Sequence, residues 1–204
     1  YLNFEKLLED AGIQIPMKHC SNSAGIIDLP QANLNCVRAG ITMYGMYPSE
    51  EVQKDKVPLK PALGLKSFVT YVKELGPGEE ISYGGTYVTE RTMRIATVAV
   101  GYGDGYPRSL SNCGYVLICG KRARILGRVC MDQLMVDVTD ILEADVDTPV
   151  TLIGKDGDEE ITMEHLAELC GGFHYEMVCD IGKRVPRVYY RGGKVVGTMD
   201  CFAE

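Results

Sequence analysis

The sequence of 204 residues contains no tryptophan, only three histidines and only four phenylalanines. None of its apolar runs approaches the roughly 20 residues of a membrane-spanning helix, so we expect no membrane contact by this chain. Positive charge is also scarce, because 21 Lys and Arg against 28 Asp and Glu give a formal net charge of −7. A general nucleic-acid binder normally carries a basic face, and this composition argues against that class of protein.

The eight cysteines lack the spacing of a metal site or of a disulfide scaffold. There is no C-x-x-C pair and no short His/Cys cluster, and most cysteines lie in apolar runs, as Cys119 and Cys170 do. We therefore expect reduced, mostly buried thiols of a cytoplasmic protein, and no metal site. The chain starts at Tyr1 without the pattern of a signal peptide, which predicts that it begins inside a longer protein.

The first part of the chain alternates between helix and strand signals. Residues 1–12 carry apolar side chains at helical spacing, and residues 14–20 and 35–38 are predicted to be short strands with a short helix between them. This alternation is typical of a parallel sheet or barrel, although one or two such units are too few to close a barrel. The polar stretch 49–61 predicts a linker, so we expect domains over 1–50 and 51–204.

After the linker the hydrophobic period changes to two, which favours a mainly β, barrel-like domain. A short helix capped by Thr162 and closed by Gly171 is expected near the end, and a last hairpin turns at Gly192. The predicted strands cover residues 62–75, 92–100, 115–119, 122–129, 134–138 and 150–153.

Two segments of the first part could hold an anion. HCSNSAG, residues 19–25, places hydroxyl, amide and N–H groups at the start of a helix, an arrangement that suits a phosphate. The alternative is a helix cap with no ligand. In CVRAGITMYG, residues 36–45, Arg38 ends an apolar strand just before Gly40. A buried arginine needs a partner, which is either a ligand or a carboxylate of the protein.

Three segments of the second part place tyrosine, arginine or acidic residues beside glycines. ISYGGTY spans 81–87, GYGDGYPR spans 101–108, and GRVCMDQ spans 127–133. Neither ISYGGTY nor GYGDGYPR is a phosphate loop by pattern. The alternatives are tight turns with exposed tyrosines, and a salt bridge between Arg128 and Asp132 at a strand end.

Taken in order, these five segments and KRVPRVYY, residues 183–190, resemble the alanine racemase family along essentially the whole chain. The resemblance implies an N-terminal (β/α)8 barrel that holds pyridoxal 5′-phosphate, followed by a β-rich domain. Residues 1–50 would then be the last βα units of the barrel, and the β domain would be complete. The lysine that forms the Schiff base would lie outside this chain, so we expect the chain alone to be inactive.

The resemblance also assigns roles to individual residues. Tyr83 would remove the α-proton of the L enantiomer, while the lysine acts on the opposite face. Arg38 would face the pyridine nitrogen and, as a permanent cation, keep it unprotonated. The phosphate positions are Asn22, Ser23, Gly40 and Ile41; the substrate positions are Met131, Asp132 and the corridor residue Tyr102, with Arg128 and Asp104 nearby.

Lys183 departs from the family pattern, because many relatives have a phosphate-contacting tyrosine there. Lys183 either supplies this contact as a point charge or leaves the pocket less closed, which makes a larger substrate such as serine more plausible. The resemblance further implies a cytoplasmic homodimer that makes D-alanine for cell-wall precursors, with each site formed between subunits. Two alternatives stay open: a serine or serine/alanine racemase, and a non-catalytic β module that serves binding or dimerisation.

Overall fold

The structure is a computed structural model that describes residues 1–202. Its contacts divide the chain into two compact units, Tyr1–Leu63 and Gly64–Glu204. This division falls at the end of the predicted linker, and the boundary at residue 50 stays a prediction. Among the described residues, no helix is both long and apolar enough to cross a membrane.

The first unit is built from short helices and irregular segments. Helix α1 spans Leu2–Asp10 and helix α2 spans Ser23–Asp28, and 3-10 turns cover Pro30–Ala32 and Ile41–Tyr44. Its buried apolar residues are few: Ile27, Ile41, Met46 and Val52. Helix α1 contributes no buried residue to this small core.

The prediction of two strands in the first unit is wrong. Residues 14–20 and 35–38 contain no strand; residue 16 is a bend and residue 35 belongs to a turn. A single backbone hydrogen bond, in which Arg38 N donates to Ser21 O over 2.9 Å, joins the second segment to the residue that follows the first. A parallel sheet needs a repeated ladder of such bonds, and within the described residues of this unit no further strand lies alongside to extend the ladder.

Over residues 64–202 the second unit contains eleven strands and two α-helices, and the mainly β fold class is confirmed. The strands are β1 Leu65–Leu75, β2 Glu80–Ile81, β3 Tyr87–Val88, β4 Met93–Val98, β5 Tyr115–Ile118, β6 Lys121–Leu126, β7 Leu134–Asp137, β8 Pro149–Asp156, β9 Glu159–Ile161, β10 Arg187–Arg191 and β11 Lys194–Met199. The helices are α3 Met163–Cys170 and α4 His174–Asp180.

Seven strands form one antiparallel sheet that closes on itself. The order is β1-β4-β7-β6-β5-β8-β9, and an additional pairing of β1 with β8 completes a ring. Strand β1 is long enough to serve both neighbours, because Leu65 to Phe68 pair with β8 while Val69 to Leu75 pair with β4. Such closure satisfies both edges of β1 and forms a barrel.

The barrel has a dense apolar core. Leu117, Ile125, Leu134 and Leu152 are fully buried, together with many other branched side chains of the same strands. At one end of the barrel Ile81, Met93, Ile95 and Leu126 form a cluster against which Leu75, Tyr87 and Met135 pack. The chain leaves this cluster after Ile81 and continues to Tyr83, so the cluster supports the segment that carries Tyr83.

The helix and the hairpin predicted near the C-terminal end of the second unit are confirmed. Thr162 caps α3 by accepting from His165 N, and Gly171 ends it with a left-handed φ of +63°. Strands β10 and β11 form the expected hairpin around Gly192 and Gly193. Sequence reasoning missed β2, β3, β9 and α4, which are too short for a hydrophobic period to be read.

Candidate functional site

A buried serine organises the candidate phosphate site of the first unit, which we call the Ser23 corner (Asn22, Ser23, Gly40 and Ile41). Asn22 caps α2, since its Oδ1 accepts from Gly25 N over 3.1 Å. Ser23 is 4% exposed, and its Oγ accepts from Gly40 N over 3.1 Å. This bond links two segments that are 17 residues apart and brings Asn22, Ser23 and Gly40 together.

The Ser23 corner offers several donors for an anion. Ser23 begins α2 and Ile41 begins a 3-10 turn, and the first N–H groups of any helix lack a partner inside it. A Cβ on Gly40 would lie 3.6 Å from Ser23 Oγ, an ordinary contact, so the space beside Gly40 does not by itself exclude a side chain. The missing side chain instead leaves the backbone of Gly40 open to a close approach.

Arg38 lies on the surface of the first unit, not at the buried strand end that the sequence predicted. The guanidinium Nη1 is 2.6 Å from Nδ1 of His19, and Nη2 donates to Cys20 O over 3.3 Å. Its protein partner is therefore an imidazole, where the sequence analysis expected a ligand or a carboxylate. Because the guanidinium always donates, the Nδ1 atom of His19 accepts in this contact.

In the second unit Tyr83 stands on a rigid projection, which we call the Tyr83 loop (Ser82–Gly85). The side chain of Tyr83 is 73% exposed, whereas Ile81 just before it is buried. Ser82 holds a left-handed backbone with φ of +68°, which costs a non-glycine residue about 1–3 kcal/mol. Its Oγ donates to Arg128 O over 2.7 Å and lies 3.4 Å from Cys130 Sγ.

Gly127 lets the Tyr83 loop pack tightly against the strand end that follows β6. A Cβ on Gly127, whose φ is +74°, would stand 2.5 Å from Ile81 O. A Cβ on Gly84 would stand 3.8 Å from the guanidinium carbon of Arg128. The structure therefore brings the backbone that carries Tyr83 beside the positive charge of Arg128.

The segment after Arg128 forms an exposed turn, which we call the Met131 turn (Cys130–Gln133). Cys130 N donates to Gln133 O over 2.9 Å, and Met131 at the tip is 52% exposed. A second loop, the Tyr102 loop (Gly101–Gly105), lies directly against it. Tyr102 N donates to Cys130 O over 3.0 Å, and Gly103 N donates to Met131 O over 2.8 Å.

Glycine is required where these two segments meet. A Cβ on Gly101 would lie 2.2 Å from Cys130 O and 2.3 Å from Met131 O, closer than any side chain allows. The Tyr102 side chain is 44% exposed at this junction. The structure thus joins Tyr102 and Met131 through main-chain hydrogen bonds, and joins the Tyr83 loop to the same Arg128–Cys130 segment.

Asp132 does not pair with Arg128, which was the alternative for GRVCMDQ. Its Oδ1 instead lies 2.6 Å from Nη2 of Arg184. The Nε atom of Arg184 also lies 3.2 Å from Oδ1 of Asp104. Sequence reasoning missed Arg184 because its partners lie far away along the chain, and the only available signal was its position beside Lys183.

Lys183 is exposed, like the other polar residues of the turn that leads into β10. Tyr106, by contrast, is 2% exposed, so the alternative of exposed tyrosines is wrong for the second tyrosine of GYGDGYPR. Its hydroxyl has no hydrogen-bond partner among the described residues. Burial raises the pKa of this phenol above its usual value.

The expectation of mostly buried thiols is also wrong. Only Cys130 is buried in the structure, whereas Cys113, Cys119, Cys179 and Cys201 are exposed. These four lie in turns or at element ends, where an apolar run has left the core. Among residues 1–202 no three His, Cys, Asp or Glu side chains form a group that could hold a metal ion.

Two family models match the chain. The model described as "Alanine racemase, C-terminal domain" matches residues 62–189, and the one described as "Alanine racemase, N-terminal domain" matches residues 2–48. The chain is also 50% identical over 194 residues to the alanine racemase of Clostridium perfringens, covering 95% of this chain and 50% of that protein.

Solved structures give the same result. An alanine racemase from Bacillus anthracis with bound L-Ala-P superposes with a TM-score of 0.91 at 41% identity, covering 98% of this chain and 51% of that one. An alanine racemase of Clostridium difficile 630 in complex with cycloserine gives 0.90 at 42% identity, covering 97% and 52%. This chain spans about half the length of the relatives it matches.

Proposed function

Because the chain belongs to the alanine racemase family, we propose that it is the C-terminal part of an enzyme that interconverts L- and D-alanine with pyridoxal 5′-phosphate. The observation that carries this proposal is the projection of Tyr83 from a strained loop packed on the Arg128–Cys130 segment. An exposed phenol that the backbone holds in one place is what a proton-transfer residue requires.

The Ser23 corner fits the phosphate of the cofactor. Ser23 Oγ accepts from Gly40 N and also lies 3.2 Å from Thr42 Oγ1, where either hydroxyl can be the donor. When Thr42 donates in that contact, the hydrogen of Ser23 can be donated to a phosphate oxygen. The amide of Ile41 adds a second donor from the start of a 3-10 turn. Asn22 fixes the start of α2, and so we assign it to positioning this corner as well as to binding.

Pyridoxal phosphate supplies an extended π system that stabilises negative charge at the α-carbon of a bound amino acid. Arg38 is the cation that we assign to its pyridine nitrogen. The contact with His19 Nδ1 and the bond to Cys20 O orient the guanidinium, and it cannot give up a proton at working pH. Arg38 therefore keeps the nitrogen unprotonated, which limits side reactions.

Tyr83 is the proposed base for the L enantiomer, and the opposite face would be served by a lysine from outside this chain. A phenol is a poor base at neutral pH unless positive charge stands nearby. Arg128, beside Gly84, is the cation that this chain places at the Tyr83 loop. The backbone N–H of Met131 would contact the substrate carboxylate, Asp132 follows it at the site, and Tyr102 would line the entrance corridor.

The resemblance also supports an assembly and a location for the parent protein. We assign the parent to a cytoplasmic homodimer in which Tyr83 and Met131 of one copy serve the cofactor held by the Ser23 corner of the other. Its product would be D-alanine for cell-wall precursors. The exposed Lys183 supports one second candidate, a racemase that also accepts serine, because a lysine closes a pocket less than a tyrosine does.

Replacement of the phenol in the full-length parent tests the proposal. Tyr83→Phe should lower the L-to-D rate for alanine about 10²–10⁴-fold, since it removes one acid–base group. Tyr71→Phe is the matched control, because Tyr71 is a 58% exposed tyrosine on β1. Unchanged L-to-D turnover in Tyr83→Phe would favour a non-catalytic β module. The turnover of L-serine relative to L-alanine by the unaltered parent separates an alanine racemase from a racemase that also accepts serine.

A further inference from the structure

The ion pairs of Arg184 join two parts of the candidate site that sequence places far apart. Nε faces Asp104 Oδ1 at 3.2 Å and Nη2 faces Asp132 Oδ1 at 2.6 Å. Asp104 belongs to the Tyr102 loop, and Asp132 belongs to the Met131 turn. One planar guanidinium therefore binds both segments through two of its nitrogen atoms, a geometry that lysine cannot reproduce.

Asp104 is held on both sides. Its Oδ2 accepts from Gly101 N over 2.9 Å while Oδ1 faces Arg184, and its side chain is only 14% exposed. Its main-chain oxygen accepts from Gly182 N over 3.0 Å. An isolated surface ion pair contributes little, but this one is partly shielded and belongs to a network with fixed partners.

The guanidinium of Arg184 also packs on the Tyr102 loop. A Cβ on Gly103 would lie 2.6 Å from Nη1 of Arg184 and 3.0 Å from Met131 O. Gly103 is thus the residue on which the arginine rests, and its amide makes the bond to Met131 O. The bonds to Asp132 and Asp104 raise the pKa of Arg184, so it stays charged.

A second arginine fixes the turn from which Arg184 projects. Arg187 Nη2 donates to Ile181 O over 2.8 Å, and Nη1 donates to Gly182 O over 3.0 Å and to Val185 O. These bonds close the segment between α4 and β10 into a compact turn. The backbone that carries Arg184 is therefore held in place by the hydrogen bonds of Arg187.

We propose that Arg184 is a positioning residue that couples the Tyr102 loop to the Met131 turn. Through Asp104 and Asp132 it fixes the distance between the corridor tyrosine and the turn that would face the substrate carboxylate. That these segments face a substrate rests on the proposed function, whereas the coupling between them does not. Arg184 touches neither reacting atoms nor cofactor in this assignment.

Amide hydrogen exchange of the 204-residue chain tests the coupling without any activity. In Arg184→Gln, exchange at the Gly103 and Tyr102 amides should rise at least about tenfold, because local opening is then less costly. Exchange at Ile125, whose amide bonds to Gly114 O over 2.9 Å inside the barrel, should stay within about twofold. Arg184→Lys should recover part of the protection, and Arg191→Gln on the exposed hairpin should change neither site.

Two outcomes would overturn the coupling. Unchanged exchange at Gly103 in Arg184→Gln would mean that the loops hold together without the arginine. An equal rise at Ile125 would mean that Arg184 stabilises the whole barrel. In the full-length parent, Arg184→Gln should raise KM for alanine about tenfold with kcat changed less than about threefold, because positioning is lost before chemistry. If the unaltered parent shows no racemisation, the proposed function fails while the exchange result still decides the coupling.

Discussion

The two units of this chain hold their candidate residues by different means. In the first unit Ser23 is fixed by single hydrogen bonds between irregular segments, over a small core. In the second unit Tyr83, Tyr102 and Met131 stand on loops that leave a closed barrel and interlock through glycines. The difference teaches that a few hydrogen bonds are enough to shape the Ser23 corner, whereas the three exposed side chains of the second unit are positioned by tightly packed main chain.

Truncation of one leucine in each unit should give the largest contrast. Leu117 is fully buried in the barrel, and Leu117→Ala should lower the free energy of unfolding by about 4 kcal/mol through lost burial and a new cavity. Leu7 on α1 is 64% exposed, and Leu7→Ala should cost less than about 0.5 kcal/mol. Urea unfolding of both variants measures these free energies of unfolding. Equal losses of stability would contradict the difference between the two units.

A pair of glycines tests the interlocking of the loops. Gly127 and Gly120 share a left-handed φ, of +74° and +73°, but the nearest atom to a Cβ is 2.5 Å away at Gly127 and 3.8 Å away at Gly120. Gly127→Ala should cost about 3 kcal/mol, from backbone strain and collision with Ile81 O, and Gly120→Ala only about 1 kcal/mol. Thermal unfolding compares the two variants. Similar losses of stability would show that the Tyr83 loop can shift to accept a side chain at Gly127.

A serine pair probes the first unit at smaller scale. Ser23→Ala leaves Gly40 N without its acceptor in a partly buried hydrogen bond and should weaken the corner by about 1 kcal/mol. Ser49→Ala removes an exposed hydroxyl that accepts from Glu51 N over 3.3 Å and should cost less than about 0.5 kcal/mol. Exchange of the Met43 amide, bonded to Gly40 O, should therefore accelerate about fivefold only in Ser23→Ala.

Tyr106 gives the smallest expected effect and the only one with a pH dependence. Its buried hydroxyl lacks a partner among the described residues, so Tyr106→Phe should stabilise the barrel by about 0.5 kcal/mol. Burial raises the pKa of the phenol in the folded state above the unfolded value of about 10. The folded chain therefore keeps its full stability below about pH 10 and loses stability as the pH rises further, because the unfolded phenol ionises before the buried one does.

Chemical unfolding of Tyr106→Phe and the native chain between pH 7 and 11 checks the sign. The difference in unfolding free energy should widen in favour of Tyr106→Phe above about pH 10. A constant difference across this range would mean that the phenol reaches water or a partner in the folded chain.

The sequence predicted the strands of the barrel well because period-two burial is a local signal. Strand β1 was predicted over 62–75 and spans Leu65–Leu75, and β8 was predicted over 150–153 and spans Pro149–Asp156. The strands expected at 14–20 and 35–38 failed because an apolar run forms a strand only beside a partner.

The candidate site could be predicted in part. The motif order located Tyr83, Ser23 and Met131, and the structure places Tyr83 and Met131 on neighbouring segments. It could not reveal Arg184, because an ion pair across 52 residues leaves no periodic pattern in the sequence. The sequence also could not reveal the contact between Arg38 and His19, because the two segments meet without the regular hydrogen-bond pattern of a sheet.

The shared strand β1 also bears on how the chain is made. The first half of β1 pairs with β8, whose residues 149–156 follow some 80 positions later in the chain. The second half can pair with β4 much sooner. At about 5–20 residues per second, a ribosome leaves that first half unmatched for several seconds of synthesis. The pairing of β1 with β8 that closes the barrel is thus a late event in synthesis, and Leu65–Phe68 stays without its partner strand during that interval.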